Sequence, residues 1–269
     1  MSLTEGLKAV SEPVNKLLVP IATSVGTTLQ DVWDLVFGGF NTYVQKKRAT
    51  REKCLQDFKS SLEKKVAAVP SEHLQEPPLA IIGPALEASK YYFEEAELRE
   101  MFANLVAAAV DNRKSNLVMP CFTEIIKQLS PLDAKNLIRF PPHIGASLPI
   151  AKYVHKRTDD GQSKTIFKGA FLPNDTGFVS KDYMEQQSRS LSLLSHLGLI
   201  ETTYDVYLSD QQAYRMFYNT PYFDYTRRIC PAGGIWKPEI QKGIASLTPL
   251  GLAFRRVCVS PDDGPGQTN

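Results

Sequence analysis

The feature that most constrains the fold is a strongly patterned segment in the first half of the chain, EEAELREMFANLVAAAV at residues 94–110. Apolar residues recur there every three or four positions, which predicts a helix with a broad apolar face that other elements must cover. The apolar positions are Leu98, Met101, Phe102, Leu105, Val106 and Ala109. The glutamates at its start stabilise a helix N-terminus through the helix dipole, so they need no role as metal ligands or acid/base groups.

Other segments of the first half have the same helical period. A second amphipathic helix is predicted from apolar residues three and four positions apart, namely Leu55, Phe58, Leu62 and Val66. Prolines at positions 70, 77 and 78 break the pattern. The sequence Ser130-Pro131-Leu132-Asp133 predicts a tight corner between two short helices, with Ser130 as the N-cap and Asp133 replacing the usual Glu of a capping box. The first half is therefore predicted to be helical throughout.

From about residue 147 the pattern changes to short strand-like runs around one helix. That helix is predicted to begin after Ser180 and to end at Gly198, which suits the C-terminal cap position. Residues 199–208 alternate between two faces and predict a strand. Thr248-Pro249 then predicts the start of a last helix. This order is typical of a winged-helix module, in which the helix after Ser180 would be the recognition helix.

The predicted fold class is mainly α with a minor β component. We predict a helical domain at residues 1–140, a winged-helix-like α+β domain at residues 141–260 and a disordered tail at residues 261–269. Hydrophobic residues make up 43% and charged residues 22% of the 269-residue chain, which excludes wholesale disorder. A net charge of +2 excludes a histone-like protein, so any nucleic-acid surface must be local.

The sequence offers no persuasive catalytic or metal-binding pattern. The four cysteines are scattered, form no CxxC pair and have no histidine beside them, so reduced thiols are expected rather than a metal site. Gly-rich phosphate loops, HExxH and GxSxG are absent from the sequence. We therefore predict a protein without enzymatic activity, metal or cofactor.

Residues 17–40 are long and apolar enough to be compared with a membrane span. Asp31 and Asp34 lie inside this segment, and each would cost about 2.5–3.5 kcal/mol at the bilayer centre. A packed or interfacial helix is therefore expected. A basic segment follows, whose simplest explanation is a solvated helix face, with anionic lipid or nucleic acid as alternatives. The candidates for membrane or subunit contact are Trp33, Phe37, Phe40, Lys46, Lys47, Arg48 and Arg51.

A second candidate surface lies in the C-terminal half, where tyrosines and phenylalanines are interleaved with arginines at residues 214–228. Such residues can stack bases and neutralise phosphates, although strand and loop aromatics that pack a small core are the favoured interpretation. The nucleic-acid candidates are Lys181, Arg189, Arg227 and Arg228. One lysine and one arginine on the predicted recognition helix are few for a helix that reads DNA.

Two stretches carry a resemblance to a known family. PALEASKYYFEEAELREMFANLVAAAVD at residues 84–111 and FTEIIKQLSPLDAKNLI at residues 122–138 resemble the bacterial Abi-alpha family. The preceding LQDVWDLVFGGF and its basic helix are also similar to the family's N-terminal part. The resemblance implies a mostly helical protein linked to abortive phage infection, with undefined biochemistry and no established catalytic residues to carry over.

These observations predict a non-enzymatic phage-defence protein that acts by protein assembly or membrane contact. Its expected partners are a second copy or another protein, with an anionic membrane surface as a further candidate and DNA less favoured. Its expected location is the cytoplasm, with peripheral attachment at the inner face of the membrane as an option. The alternative function is a winged-helix DNA-binding regulator.

Overall fold

The structure is a computed structural model that describes residues 23–38, 48–143, 145–173 and 179–259. These residues divide into two compact units. The first unit contains the described residues up to Ala134 and those from Ala253 onward, and the second is Lys135–Leu252. Helices outweigh strands, so the predicted mainly α class with a minor β component is confirmed.

The first unit is built from helices around the segment predicted to be buried. They are α1 (Thr23–Phe37), α2 (Arg48–Ala67), α3 (Leu79–Ser89), α4 (Ala96–Ala109), α5 (Cys121–Gln128) and the first part of α6 (Pro131–Arg139). Helix α4 packs against α2, α3 and α5, and every residue of its predicted apolar stripe is buried. Burial of six apolar side chains on one helix contributes strongly to the stability of this unit.

The predicted corner between α5 and α6 is confirmed in its hydrogen bonds. The Asp133 carboxylate accepts from the Ser130 backbone N–H at 2.7 Å and from the Ser130 hydroxyl at 2.6 Å. The Asp133 backbone N–H in turn donates to the Ser130 hydroxyl oxygen, at an N–O distance of 3.4 Å. This reciprocal pattern is a capping box, and it stops the chain from continuing as one long helix.

The second unit is a four-stranded antiparallel sheet in the order β2-β1-β4-β3. Its strands are β1 (Ser147–Arg157), β2 (Ser163–Phe171), β3 (Ile200–Thr203) and β4 (Trp236–Leu247). Strands β1 and β4 pair from Ser147 opposite Ser246 to Arg157 opposite Trp236. Helix α7 (Lys181–His196) packs on β2, and α8 (Pro221–Arg228) packs on β1 and β4.

The core of the second unit is aromatic and contains a buried tyrosine that is fully hydrogen-bonded. Tyr153 on β1 is 0% exposed, and its hydroxyl lies 3.0 Å from the Phe217 carbonyl and 2.8 Å from the Thr220 hydroxyl. Burial raises the pKa of Tyr153 far above its usual range. These bonds fix the segment before α8 against the sheet, because a buried hydroxyl without partners would be costly.

Between β3 and β4 the structure differs from the sequence prediction. The predicted strand at residues 199–208 is limited to β3, and the aromatic stretch folds as a 3₁₀ helix (Gln211–Tyr218) followed by α8. Two side chains explain the change. Asp210 accepts from the Gln212 N–H at 2.8 Å, and Thr220 accepts from the Phe223 N–H at 3.2 Å, so each caps a helix start. The predicted winged-helix arrangement stays a prediction.

The division between the two units falls within helices. The boundaries lie within α6 and within α9 (Pro249–Phe254), and residues 253–259 join the first unit. There Phe254 packs edge-on against Phe122 at 5.2 Å, and the Asn104 amide donates to the Cys258 carbonyl at 2.8 Å. The predicted tail at residues 261–269 lies outside the described residues.

Candidate functional site

Two helices of the second unit carry the predicted nucleic-acid candidates. Helix α7 begins after Ser180, whose hydroxyl accepts from the Tyr183 N–H at 3.1 Å, and this places Lys181 in its first turn. Helix α8 begins with Pro221 after the Thr220 cap, and this places Arg227 and Arg228 in its last turn. Cations at a helix C-terminus are favoured by the helix dipole.

The side chains of Lys181 and Arg228 meet at one aromatic ring. The Lys181 Nζ lies 4.8 Å from the centre of the Tyr225 ring, and the Arg228 guanidinium carbon lies 5.6 Å from it. Lys181 also lies 5.6 Å from the centre of Tyr222. These distances are within the range of cation–π attraction, so both cations are held in place by protein contacts.

Of the other two candidates, only Arg189 connects to the same group of side chains. Arg189 lies 3.9 Å from Glu185, which accepts from the Tyr222 hydroxyl at 2.5 Å. Arg227 lies 4.5 Å from the centre of the Phe223 ring and 3.7 Å from Asp224. The structure therefore links Lys181, Arg189 and Arg228 through the side chains of Tyr222, Tyr225 and Glu185, whereas Arg227 contacts Phe223 and Asp224 instead. We call the four predicted residues the cationic cluster: Lys181, Arg189, Arg227 and Arg228.

The charge of this surface is close to balanced. Helices α7 and α8 contribute the four cations of the cationic cluster but also three carboxylates, Asp182, Glu185 and Asp224. Gln187 of α7 is buried and accepts from the Asn136 amide at 2.8 Å. The surface can therefore attract anions only through the particular positions of its cations, since its net charge is small.

Tyr222 has the most strongly shifted pKa of the residues on this surface. Burial, the hydrogen bond to Glu185 and the negative charge of Glu185 together raise the pKa of Tyr222 from 10.0 to about 12. Its ring also stacks on Phe167 at 4.0 Å, so the protein covers one ring face. The shift has a structural cause, and Tyr222 remains protonated at neutral pH.

This shift predicts a specific loss of stability at high pH. Because the folded pKa lies above the unfolded value, the contribution of protonated Tyr222 is complete below pH 10 and is lost as the pH rises toward about 12. We expect Tyr222→Phe to cost about 1 kcal/mol at neutral pH, through loss of the bond to Glu185. Urea unfolding of both proteins should show this difference shrinking between pH 10 and 12. If the difference in unfolding free energy between the two proteins stays constant over this pH range, stability is not coupled to the ionisation of Tyr222.

The membrane candidates of α1 occupy a different environment. Trp33 and Phe37 are 1% and 2% exposed, their rings stack at 4.3 Å, and Trp33 lies 5.7 Å from Phe58 of α2. The outer face of α1 instead presents Asp31, Asp34 and the 84%-exposed Leu35. The expectation of a packed helix is thus met, and lipid contact by the two aromatic residues would require α1 to leave the core.

The side chains of the remaining membrane candidates are not described by the structure. Phe40, Lys46 and Lys47 lie outside the described residues, and for Arg48 and Arg51 only the helical backbone of α2 is described. Within the described ranges, no helix is both long enough and apolar enough to cross a bilayer. The same part of the chain contains no group of three or more His, Cys, Asp or Glu residues arranged to hold a metal ion.

Fold and site together define a mainly helical protein of two units, the second of which carries a cationic and aromatic surface. The family model described as Abortive infection alpha matches residues 50–258, well over half of the chain. The chain belongs to the abortive infection alpha family, which confirms the resemblance found at residues 84–138 and extends it through the second unit. Comparison with curated proteins and with solved structures found no match.

Sequence reasoning missed how the cationic cluster is held together. Tyr222 and Tyr225 were expected mainly to pack a core, whereas they also contact Lys181. Glu185 was not singled out, although its spacing of four residues from Arg189 is a local signal for a pair on one helix face. Its bond to Tyr222 had no such signal, because 37 positions separate the two residues.

Proposed function

We propose that this protein is a non-enzymatic abortive-infection protein of phage defence whose winged-helix-like second unit binds duplex DNA. Membership of the abortive infection alpha family supports the role in defence. The single observation that carries the binding proposal is the cationic cluster, in which Lys181 and Arg228 share the ring of Tyr225. Positioned cations of this kind supply the phosphate contacts on which DNA affinity depends.

The aromatic rings of this surface favour phosphate contacts over base stacking. Tyr222 stacks on Phe167 and is approached by the Lys181 ammonium group, and Tyr225 is approached by two cations. Bases of a single strand would need free ring faces on which to stack. A duplex presents its phosphates outward and needs only the cations, so it is the better ligand for this geometry.

We expect the binding to be weak and strongly dependent on salt. The three carboxylates beside the cationic cluster oppose the approach of phosphates, and each phosphate neutralised contributes about −0.9 to the slope of log K against log salt. Arg228→Ala and Lys181→Ala should each weaken binding to every duplex and reduce this slope by about one. Fluorescence anisotropy of a labelled duplex, titrated at several salt concentrations, measures both quantities.

Two control variants separate this surface from general electrostatics. Asp224→Asn removes an exposed carboxylate next to Arg227 and should strengthen binding. Lys53→Ala removes an exposed lysine from α2 of the first unit and should leave binding unchanged. The proposal is overturned if the wild-type protein ignores duplex DNA at low salt, or if Lys53→Ala weakens binding as much as Arg228→Ala.

Association of copies of the protein through the first unit is the second candidate mechanism. Large exposed apolar side chains favour it. Leu35, Leu79 and Tyr91 are 84%, 62% and 77% exposed, respectively. Scattered exposed apolar residues are common on monomers, so this observation is weaker than the cationic cluster. If the protein fails to bind DNA, a mass that increases with concentration would favour assembly. Flotation with anionic vesicles would favour membrane contact.

A further inference from the structure

Strand β4 lacks a partner strand along part of its outer edge. Strand β1 pairs with β4 from residue 236 to residue 246, whereas β3 pairs with it only from Ile244 to Leu247. The chain leaves the sheet after Thr203, where the Asp205 backbone N–H donates to the Thr203 hydroxyl at 3.2 Å. The residues of β4 before Ile244 therefore have β1 on one side and no strand of the described chain on the other.

A cavity of about 330 Å³ lies beside this unpaired part of β4. Four consecutive residues of the strand, at positions 239–242, line it. Successive side chains of a strand point to opposite faces, so a cavity lined by four residues in a row lies along the strand edge. At about 3.3 Å per residue these positions span about 10 Å, which is enough for three or four residues of extended chain. We call this the edge cavity, and the lining residues used in the argument are Asp205, Tyr207, Tyr218, Glu239, Ile240 and Lys242.

Alternate residues of β4 direct their backbone N–H and C=O groups toward the open edge. The Thr248 N–H, directly after β4, donates to the Leu199 carbonyl beside β3 at 3.0 Å, so the even-numbered residues face this side. Pro238 agrees with this assignment, because it has no N–H to donate to β1. The outward groups in the edge cavity are therefore those of Ile240 and Lys242. No described residue hydrogen-bonds to the backbone of either one on this side.

Ile240 shows that the backbone itself faces the edge cavity. Its side chain packs in the aromatic core and the residue is 4% exposed, yet it lines the cavity. A strand edge with unpaired N–H and C=O groups is a template for another extended chain. Only a second backbone offers donors and acceptors at the same spacing, so this geometry selects a peptide over a small molecule.

Two tyrosine rings lie beside this edge. Tyr207 and Tyr218 are 59% and 39% exposed, and both line the edge cavity. Phe223 packs edge-on against Tyr218 at 5.3 Å and supports its ring. Tyrosine supplies a large contact area at a small cost in side-chain entropy, so the two rings can cover the side chains of a bound segment.

The charged residues of the edge cavity favour a segment with a basic side chain. Asp205 is exposed, and no described residue supplies a cation to its carboxylate. Glu239 lies 3.8 Å from Lys156, but both side chains are half exposed, so this pair is weak. Lys242 also lines the cavity, and its ammonium group donates to the Gln211 side chain. The carboxylate of Asp205 is therefore the group that can pair with a cation from a ligand.

We propose that the edge cavity binds an extended peptide segment of a partner protein. The segment pairs as an added strand with the backbone of Ile240 and Lys242, and a lysine or arginine side chain of the segment pairs with Asp205. A second copy of β4 fits less well, because β4 forms the wall of a cavity in each copy and two such walls cannot approach each other. The edge cavity shares no residue with the cationic cluster, so this proposal is independent of DNA binding.

The test begins with a library of random seven-residue peptides, selected on the immobilised full chain. The most enriched peptide is then synthesised with a fluorescent label and titrated by anisotropy. We expect a lysine or arginine flanked by β-branched residues, and saturable binding. Asp205→Lys should weaken binding about tenfold or more, because repulsion replaces attraction. Glu52→Lys, at an exposed glutamate of α2 in the first unit, is the matched control and should have no effect.

Two further comparisons test the wall of the cavity and the strand pairing. Tyr207→Ala should weaken binding about tenfold, whereas Tyr91→Ala, at a 77%-exposed tyrosine of the first unit, should not change it. N-methylation of alternate peptide residues should weaken binding about tenfold or more in one of the two possible patterns and little in the other, since only one edge of the peptide faces β4.

Three results would overturn the proposal. The first is that no peptide is enriched on the wild-type protein. The second is that the enriched peptide binds Asp205→Lys and Tyr207→Ala as tightly as the wild type. The third is that the two patterns of N-methylation bind equally well, because strand pairing distinguishes the two edges of the peptide.

Discussion

Replacing Gly251 with alanine is expected to lower the free energy of unfolding by about 3 kcal/mol or more. A Cβ atom at this position would lie 1.8 Å from the Leu199 carbonyl oxygen and 2.7 Å from the carbonyl carbon. These are backbone atoms, and the same oxygen accepts from the Thr248 N–H at 3.0 Å, so it cannot move aside without breaking a bond. The start of α9 would have to separate from the residue that precedes β3.

The measurement is urea unfolding of the variant, followed by far-UV circular dichroism. Gly83→Ala is the matched control, since a Cβ there meets nothing within 4 Å. Two small effects oppose each other at Gly83, reduced freedom of the unfolded chain and strain before Pro84, so the change should stay below about 1 kcal/mol. A Gly251→Ala protein as stable as the wild type would show that α9 does not approach Leu199 as described.

The elements that could be predicted from the sequence are those determined by neighbouring residues. Ser130 with Asp133, Ser180 and Thr248 all act as predicted, because a helix cap needs partners only two or three positions away. The buried stripe of α4 was predictable for the same reason, since one helix brings its six apolar residues onto a single face. Local chemistry was therefore sufficient to predict these helix starts and the buried face of α4.

The secondary structure between β3 and β4 was predicted poorly, although the sequence contains a signal for a helix start there. Thr220-Pro221 is a helix start of the same kind as Thr248-Pro249, yet the density of aromatic residues around it favoured strands and loops. The caps at Asp210 and Thr220 outweigh that propensity, and Tyr153 then fixes the segment by its bond to Thr220. Only the structure shows this last contact, which joins residues 67 positions apart.

The candidate sites depend on contacts that no local pattern encodes. The cationic cluster could be predicted residue by residue, but its shared ring, Tyr225, and its carboxylate, Glu185, come from tertiary packing. The Asn104 amide likewise donates to the Cys258 carbonyl, 154 positions away in the sequence. Charged and polar residues can be counted in a sequence, but only the fold shows which of them lie close together.

Because α1 packs in the core, a substitution on its buried face is expected to have the second large effect on stability. Trp33→Ala is expected to destabilise the protein by about 3 kcal/mol, because it removes a 1%-exposed indole stacked on Phe37 and packed near Phe58. Leu35→Ala on the same helix is the control, since an 84%-exposed side chain should change stability by less than about 0.5 kcal/mol. Urea unfolding in buffer without lipid measures both variants.

A lipid anchor at Trp33 predicts the opposite pattern, and this makes the comparison decisive for the function of α1. If its apolar face were open in the free protein, Trp33→Ala would be as stable as the wild type and would lose affinity for anionic vesicles instead. If the face is closed, stability falls, and vesicle binding by the wild-type protein requires α1 to leave the core at a similar cost in free energy. That cost would have to come from the membrane, so contact through α1 would be conditional on a separate signal that opens the first unit.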